Sequence, residues 1–253
     1  MTTVIAPRLS DTQVGELLAL IKAADSVELK LTIEEPHQYH ALQGLQLDPL
    51  DAQVRQVYFF DTPDLALNRA GVVVRARRVQ GKGDDTVVKL RPVVPDQLPP
   101  ALRKSPNFVV EVDAMPGGFV CSGTMKRTLS RANVRDAVHG ERPVRKLFSK
   151  EQRAFYAEHA PEGLAIDDLT IMGPIFVLKL RMTPPAFARR LVTEVWFYPD
   201  GSRILELSTK CPPSDAFEVV AETRAFLASC GINTTDEQHT KTKQALEFFS
   251  RRP

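Results

Sequence analysis

Ser26-Val27-Glu28-Leu29-Lys30-Leu31-Thr32-Ile33 alternates polar and aliphatic side chains without a break. On a strand, side chains two residues apart point the same way, so Glu28, Lys30 and Thr32 share one face and Val27, Leu29, Leu31 and Ile33 the other. The same period recurs in Val74-Arg75-Ala76-Arg77, Val88-Lys89-Leu90-Arg91, Val110-Glu111-Val112-Asp113, Leu178-Lys179-Leu180-Arg181 and Leu205-Glu206-Leu207-Ser208-Thr209-Lys210. A sheet of such strands has one apolar face and one face crowded with charge. Several helices with apolar stripes also need a sheet face to cover. If they pack outside a closed barrel they use the apolar face, and the charges turn inward.

That inward face would hold Lys30, Arg75, Arg77, Lys89, Arg91, Lys179, Arg181 and Lys210 against Glu28, Glu111, Asp113, Glu194 and Glu206. Two like charges about 7 Å apart repel by roughly 2 kcal/mol at an effective dielectric near 20, so an enclosed set of this kind calls for a guest. A compact polyanion suits the cations, because Arg offers a bidentate fork to phosphate oxygens and Lys a point charge. The carboxylates would oppose a bare phosphate and so call for Mg²⁺ or Mn²⁺ between the two.

The rest of the chain sets limits. At 253 residues it is long enough for a sizeable core, and its formal net charge of +2 makes it no polycation. That low charge, and the lack of a basic stripe interleaved with aromatics, argue against nucleic acid as partner. Cys121, Cys211 and Cys230 have no metal-type spacing. With no basic and apolar leader at the N-terminus, they point to a reducing cytoplasm. No apolar run is long enough to span a membrane as a helix.

Residues 11–24 read as a helix through Val14, Leu17, Leu18 and Ile21, capped by Ser10 or Asp11. A short helix is expected from Pro36 to about Leu47, and another from Asp64 to Ala70 after the Asp61-Thr62-Pro63 cap. Strands are expected at 54–61, 72–79, 86–91, 175–182, 191–198 and 203–210, besides those at 26–34 and around 110–113. Residues 114–175 change character, with helices at Ser130–Val138 and at Ser149–Ala160 behind a Ser149/Gln152 capping box. Two more helices are expected, over Asp215–Ser229 and from near Thr235 or Asp236 to about Ser250. The organisation is α+β: an N-terminal helix in 1–25, then one domain over 26–250 with a helical insertion at about 114–175. That insertion reads as a lid, a homodimer contact or outer packing.

Taken in order, these segments resemble the CYTH domain, or triphosphate tunnel metalloenzyme, family. Ser26-Val27-Glu28-Leu29-Lys30 resembles its E-x-E-x-K signature, and Tyr58-Phe59-Phe60-Asp61-Thr62 its Y-F-D-T segment. Val74-Arg75-Ala76-Arg77 is similar to its L-R-x-R strand and Thr86-Val87-Val88-Lys89 to its T-x-K strand. Glu111, Lys179-Leu180-Arg181, Glu194, Glu206-Leu207-Ser208 and Thr240-Lys241 follow in family order. The resemblance implies a closed, eight-stranded antiparallel β-barrel with helices outside, and hydrolysis of, or cyclisation from, a triphosphate. It implies that Lys30, Arg75, Arg77, Lys89, Lys179, Arg181 and Lys241 grip phosphate oxygens. Glu28, Glu111, Glu194 and Glu206 would hold Mg²⁺ or Mn²⁺, with Glu28, Lys30 and Glu206 taking part in catalysis. The expected ligand is inorganic tripolyphosphate, a longer polyphosphate or a small organic triphosphate. A class IV-type adenylyl cyclase and a non-catalytic polyphosphate or nucleotide binder are the alternatives. Ser26 and Ser208 stand where the family carries glutamates, and a hydroxyl is a neutral, weaker ligand for a hard cation.

Overall fold

A computed structural model describes residues 10–232, 238 and 240–251. Nine strands close a barrel: β1 Ser26–Ile33, β2 Gln53–Asp61, β3 Val72–Val79, β4 Asp85–Leu90, β5 Phe108–Met115, β6 Gly118–Thr128, β7 Thr170–Met182, β8 Leu191–Phe197 and β9 Arg203–Cys211. Around the wall they run β1-β5-β6-β4-β3-β2-β7-β8-β9, and β9 pairs back to β1. Every pairing is antiparallel except β1 with β5, where Ser26 faces Glu111 and Glu28 faces Asp113. The helices are α1 Asp11–Ala23, α2 Glu35–Gly44, α3 Ala66–Arg69, α4 Pro100–Arg103, α5 Asn133–Val138, α6 Lys150–His159, α7 Ala216–Ser229 and α8 Lys241–Ser250.

The closed barrel agrees with the sequence reading, but two details are corrected. The wall has nine strands rather than eight, with one parallel pair. The extra strand is β6, inside the stretch 114–175 that reads as helical. Its small residues blur the alternation that marks the other strands. Gly123 serves packing: a Cβ there would stand 2.6 Å from Phe108 Cζ. The strand β7 also starts at Thr170, so helices occupy only the middle of 114–175. The expected start of the last helix near 235 lies outside the described residues.

The apolar strand faces are covered as the alternation requires. Leu31, Ile33, Leu205 and Leu207 are buried in one cluster with Ala41 of α2 and Phe226 and Leu227 of α7. Removing each such side chain from water is worth about 1.5–3 kcal/mol. On the other flank α6 packs over β4 and β6. There the Gln152 side chain donates to the carbonyls of Thr86 and Met125, both at 3.2 Å. Ser149 and Gln152 form the expected capping box. The stripe on α1 is only partly used: Ile21 is buried, but Val14 and Leu18 are each 38% exposed. Asp61 accepts from the backbone N–H groups of Thr62, Leu67 and Asn68, which secures the entry to α3.

Hydrocarbon fills part of the interior. Val57, Phe59, Val73, Ile175, Val177, Trp196 and Ile204 share the inward register of the charged residues, and they pack with Ala245 and Leu246 of α8. The charged lumen is what remains. No helix among the described residues is long and apolar enough to cross a membrane.

Candidate functional site: a charged lumen

The lumen has a volume of about 310 Å³. Among the described residues its lining carries nine cationic side chains and five carboxylates, a formal excess of four positive charges. The carboxylates are those anticipated: Glu28, Glu111, Asp113, Glu194 and Glu206. Lys30, Arg75, Arg77, Lys89, Arg91, Lys179 and Lys210 also line it, as anticipated, and Lys126 of β6 joins them. Lys241 enters from the first turn of α8. The Gln238 side chain docks on the Thr32 backbone, accepting from its N–H at 2.7 Å, and Thr240 caps the helix. Arg181 is the exception. It follows Lys179 on the same face of β7, but its side chain is exposed and does not line the lumen. Arg181 still pairs with Val192 of β8, but on its other side β2 reaches no further than Gln53, opposite Lys179.

The carboxylates are held by lysines. Lys179 Nζ lies 2.6 Å from Glu194 Oε1, and Lys241 Nζ lies 2.6 Å from Glu206 Oε1 while also bonding Glu194. Trp196 Nε1 donates to Glu194 at 3.1 Å, and Lys241 Nζ sits 5.0 Å from the Trp196 ring centre. Lys30 Nζ contacts Asp113 at 2.9 Å and Glu28 at 3.3 Å. Lys89 approaches Asp113 at 3.3 Å, and Glu111 is met by Lys210 and, at 3.6 Å, by Lys126. Burial alone would raise the pKa of Asp113 and Glu194. Lys30 and Lys89 nevertheless hold Asp113 far below the usual range, and Lys241 and Lys179 do the same for Glu194. Burial likewise opposes charge on Lys30 and Lys241, yet their carboxylate partners raise both above the ordinary lysine value. Lys89 and Lys179 come out lowered, because burial prevails over their carboxylates.

Arg75 differs from the lysines. Its Nε is buried and, among the described residues, has no hydrogen-bond partner. Burial, and then the like charge of Arg77, push its pKa down to about 10, which leaves it a cation at neutral pH. Arg77 is engaged by Asp85, with Nε–O distances of 2.8 and 3.1 Å. Asp85 and Lys126 escaped the sequence reading, the first at a strand start and the second on the unread strand. Arg55 escaped it too. It is buried on β2, bonded to Gln53 at 2.7 Å, and adds positive charge near Arg75 and Arg77.

The donors do not fit a resident Mg²⁺ or Mn²⁺. Among the described residues no three acidic, histidine or cysteine side chains converge as a metal site needs. Glu28, Glu111, Glu194 and Glu206 each spend oxygen on lysine instead. Ser26 and Ser208 are both buried, and Ser26 Oγ has no partner among the described residues.

No family model matches the chain, and no curated protein matches it significantly. Solved structures do. One is a candidate adenylyl cyclase from Hippeastrum described as having a dominant triphosphatase activity. It is 14% identical, covers 87% of this chain and 95% of its own, and has a TM-score of 0.64. Another is a candidate adenylate cyclase from Bacillus halodurans. It is 13% identical, covers 87% of this chain and 97% of its own, and has a TM-score of 0.60. The chain has the fold of these proteins. The tunnel architecture implied by the strand pattern is therefore present here, at identities that speak to fold alone.

Proposed function

We propose that this chain is a CYTH-type tunnel protein that binds the triphosphate group of tripolyphosphate or of a small organic triphosphate and hydrolyses its terminal phosphoanhydride. The observation that carries the reading is Arg75: a half-buried guanidinium in the lumen whose buried Nε has no partner among the described residues, beside a second guanidinium. A protein leaves such a group uncompensated where a ligand supplies the compensation. Phosphate oxygens suit it, and the formal excess of four positive charges matches a compact polyanion. Lys30 and Lys89, beside Asp113, would complete the grip.

In the reaction, water attacks the terminal phosphorus in line. The bond from that phosphorus to the bridging oxygen breaks, and tripolyphosphate yields orthophosphate and pyrophosphate. Arg75, Arg77 and Lys89 would stabilise charge on the transferred oxygens, the main source of catalysis in phosphoryl transfer. The triphosphatase activity described for the Hippeastrum protein accords with this reading. Binding without turnover is the second reading, and one observation favours it. Glu28 and Glu206, the carboxylates suited to orient a water, both contact lysine.

A phosphate-release assay over tripolyphosphate, thiamine triphosphate and ATP tests the proposal, with cyclic AMP measured in parallel. Release from one of these, lost in Arg75→Ala, supports hydrolysis. Retained binding with no release from any of them selects the binder. Cyclic AMP from ATP would make the chain a cyclase instead.

A further inference from the structure

We infer that the lumen holds its anion without a resident divalent cation, because lysine ammonium groups already stand between the carboxylates. The inference rests on the triphosphate reading of the site. Lys241 Nζ bridges Glu206, at 2.6 Å, and Glu194. Lys30 Nζ bridges Asp113, at 2.9 Å, and Glu28, at 3.3 Å. Each of these four carboxylates therefore has an oxygen in contact with an ammonium group. An ammonium has three donors and no acceptor, so it cannot itself become a ligand. A divalent cation that bridges these carboxylates would have to displace the ammonium groups that bridge them now.

The residues around the bridges point the same way. In the β1–β9 register, Ser208 stands directly opposite Lys30, and Thr32 stands opposite Glu206. A neutral hydroxyl adds no negative charge to draw a cation in. Trp196 closes the other side of the Lys241 bridge, with its Nε1 on Glu194 and its ring 5.0 Å from the ammonium. An ammonium that holds two carboxylates keeps a third donor for a phosphate oxygen. The bridge between protein anion and ligand anion is thus tethered to the chain, and a chelator cannot remove it.

Two measurements on the full chain test this, with tripolyphosphate and Mn²⁺ as separate probes. Calorimetric titration with tripolyphosphate in EDTA should show saturable binding. Spin-resonance counting of free Mn²⁺, without anion, should show no bound Mn²⁺ up to about millimolar concentration, far above the range of dedicated high-affinity sites. The double variant Lys241→Gln, Ser208→Glu frees Glu206 and one oxygen of Glu194, whose other oxygen stays with Lys179, and adds a third carboxylate. It should gain Mn²⁺ affinity of about ten-fold or more over the unaltered chain. Tripolyphosphate binding that appears only with a divalent cation, or a stoichiometric Mn²⁺ site in the unaltered chain, overturns the inference and leaves the triphosphate reading standing. No binding with or without the metal overturns both. The EDTA and Mn²⁺ measurements on the unaltered chain decide the matter even if the double variant does not fold.

Discussion

Replacing Arg75 by methionine should weaken anion binding and stabilise the unliganded protein at the same time. Its Nε is buried without a partner among the described residues, and a buried unsatisfied polar group costs about 1–3 kcal/mol. Arg77 lies two residues away on the same strand face. Side chains so placed are about 7 Å apart and repel by roughly 2 kcal/mol at an effective dielectric near 20. Methionine keeps most of the aliphatic stem, so little packing is lost. Allowing for water and for relaxation of the lumen, the net gain should be about 1–2 kcal/mol, or a rise of about 2–8 °C in Tm for a chain of this size. The ligand side has the opposite sign. A charge-assisted hydrogen bond contributes about 1.5–3 kcal/mol, so tripolyphosphate affinity should fall about 10- to 150-fold. Scanning calorimetry of the unliganded protein and titration calorimetry with tripolyphosphate read the two effects separately. A lowered Tm with unchanged affinity would make Arg75 a structural residue and refute the reasoning.

Other perturbations probe the lumen from different sides. Lys241→Met removes the ammonium between Glu194 and Glu206, which are 7% and 5% exposed. Glu194 keeps Lys179 and Trp196, but buried Glu206 loses its ammonium, which should cost about 3–5 kcal/mol in urea unfolding. Gly71 has φ of +76°, and a Cβ there would meet the Arg91 carbonyl oxygen at 2.4 Å. Gly71→Ala should therefore cost more than the roughly 1–2 kcal/mol of a left-handed conformation alone, read as a lowered urea midpoint. In acid, Asp113 and Glu194, held below their ordinary values, contribute stability above the unfolded carboxylate range that is lost as pH falls through their folded pKa. Stability should decline from about pH 4 downward. In alkali, the Lys30 and Lys241 contributions are fully present below the unfolded lysine value and vanish as pH rises through their raised folded values. Tripolyphosphate affinity should decline earlier than that, because Lys89 and Lys179 are lowered and lose their protons first.

What could be read from the sequence follows from how strongly each strand marks its two faces. Glu28 and Lys30, Arg75 and Arg77, and Glu111 and Asp113 are pairs of charges flanked by aliphatic residues, and all six side chains line the lumen. In β6 the inward Ser122 and Thr124 are small, and outward Gly123 has no side chain at all, so neither face stands out and Lys126 went unread with them. The start of β7 is hidden by Gly173 and Pro174. Arg181 shows the converse limit: alternation gives the face of a residue but not where a neighbouring strand stops, and β2 reaches no further than Gln53, opposite Lys179. The ion pairs were out of reach for a different reason. Lys30 meets Asp113 because β1 and β5 run parallel, and Lys241 meets Glu194 because α8 closes on the barrel. Both pairings join distant parts of the chain, which no local pattern encodes. They also carry the metal-free inference, since lysines contact the carboxylates that the family resemblance assigns to metal.

The central claim, that the inward cations form a polyanion site, is tested most directly by a crystal structure of the full chain grown with tripolyphosphate. The account predicts phosphorus density inside the barrel, within hydrogen-bond reach of Arg75 and Lys89. An empty lumen, with phosphate bound only to the outer surface, would contradict it.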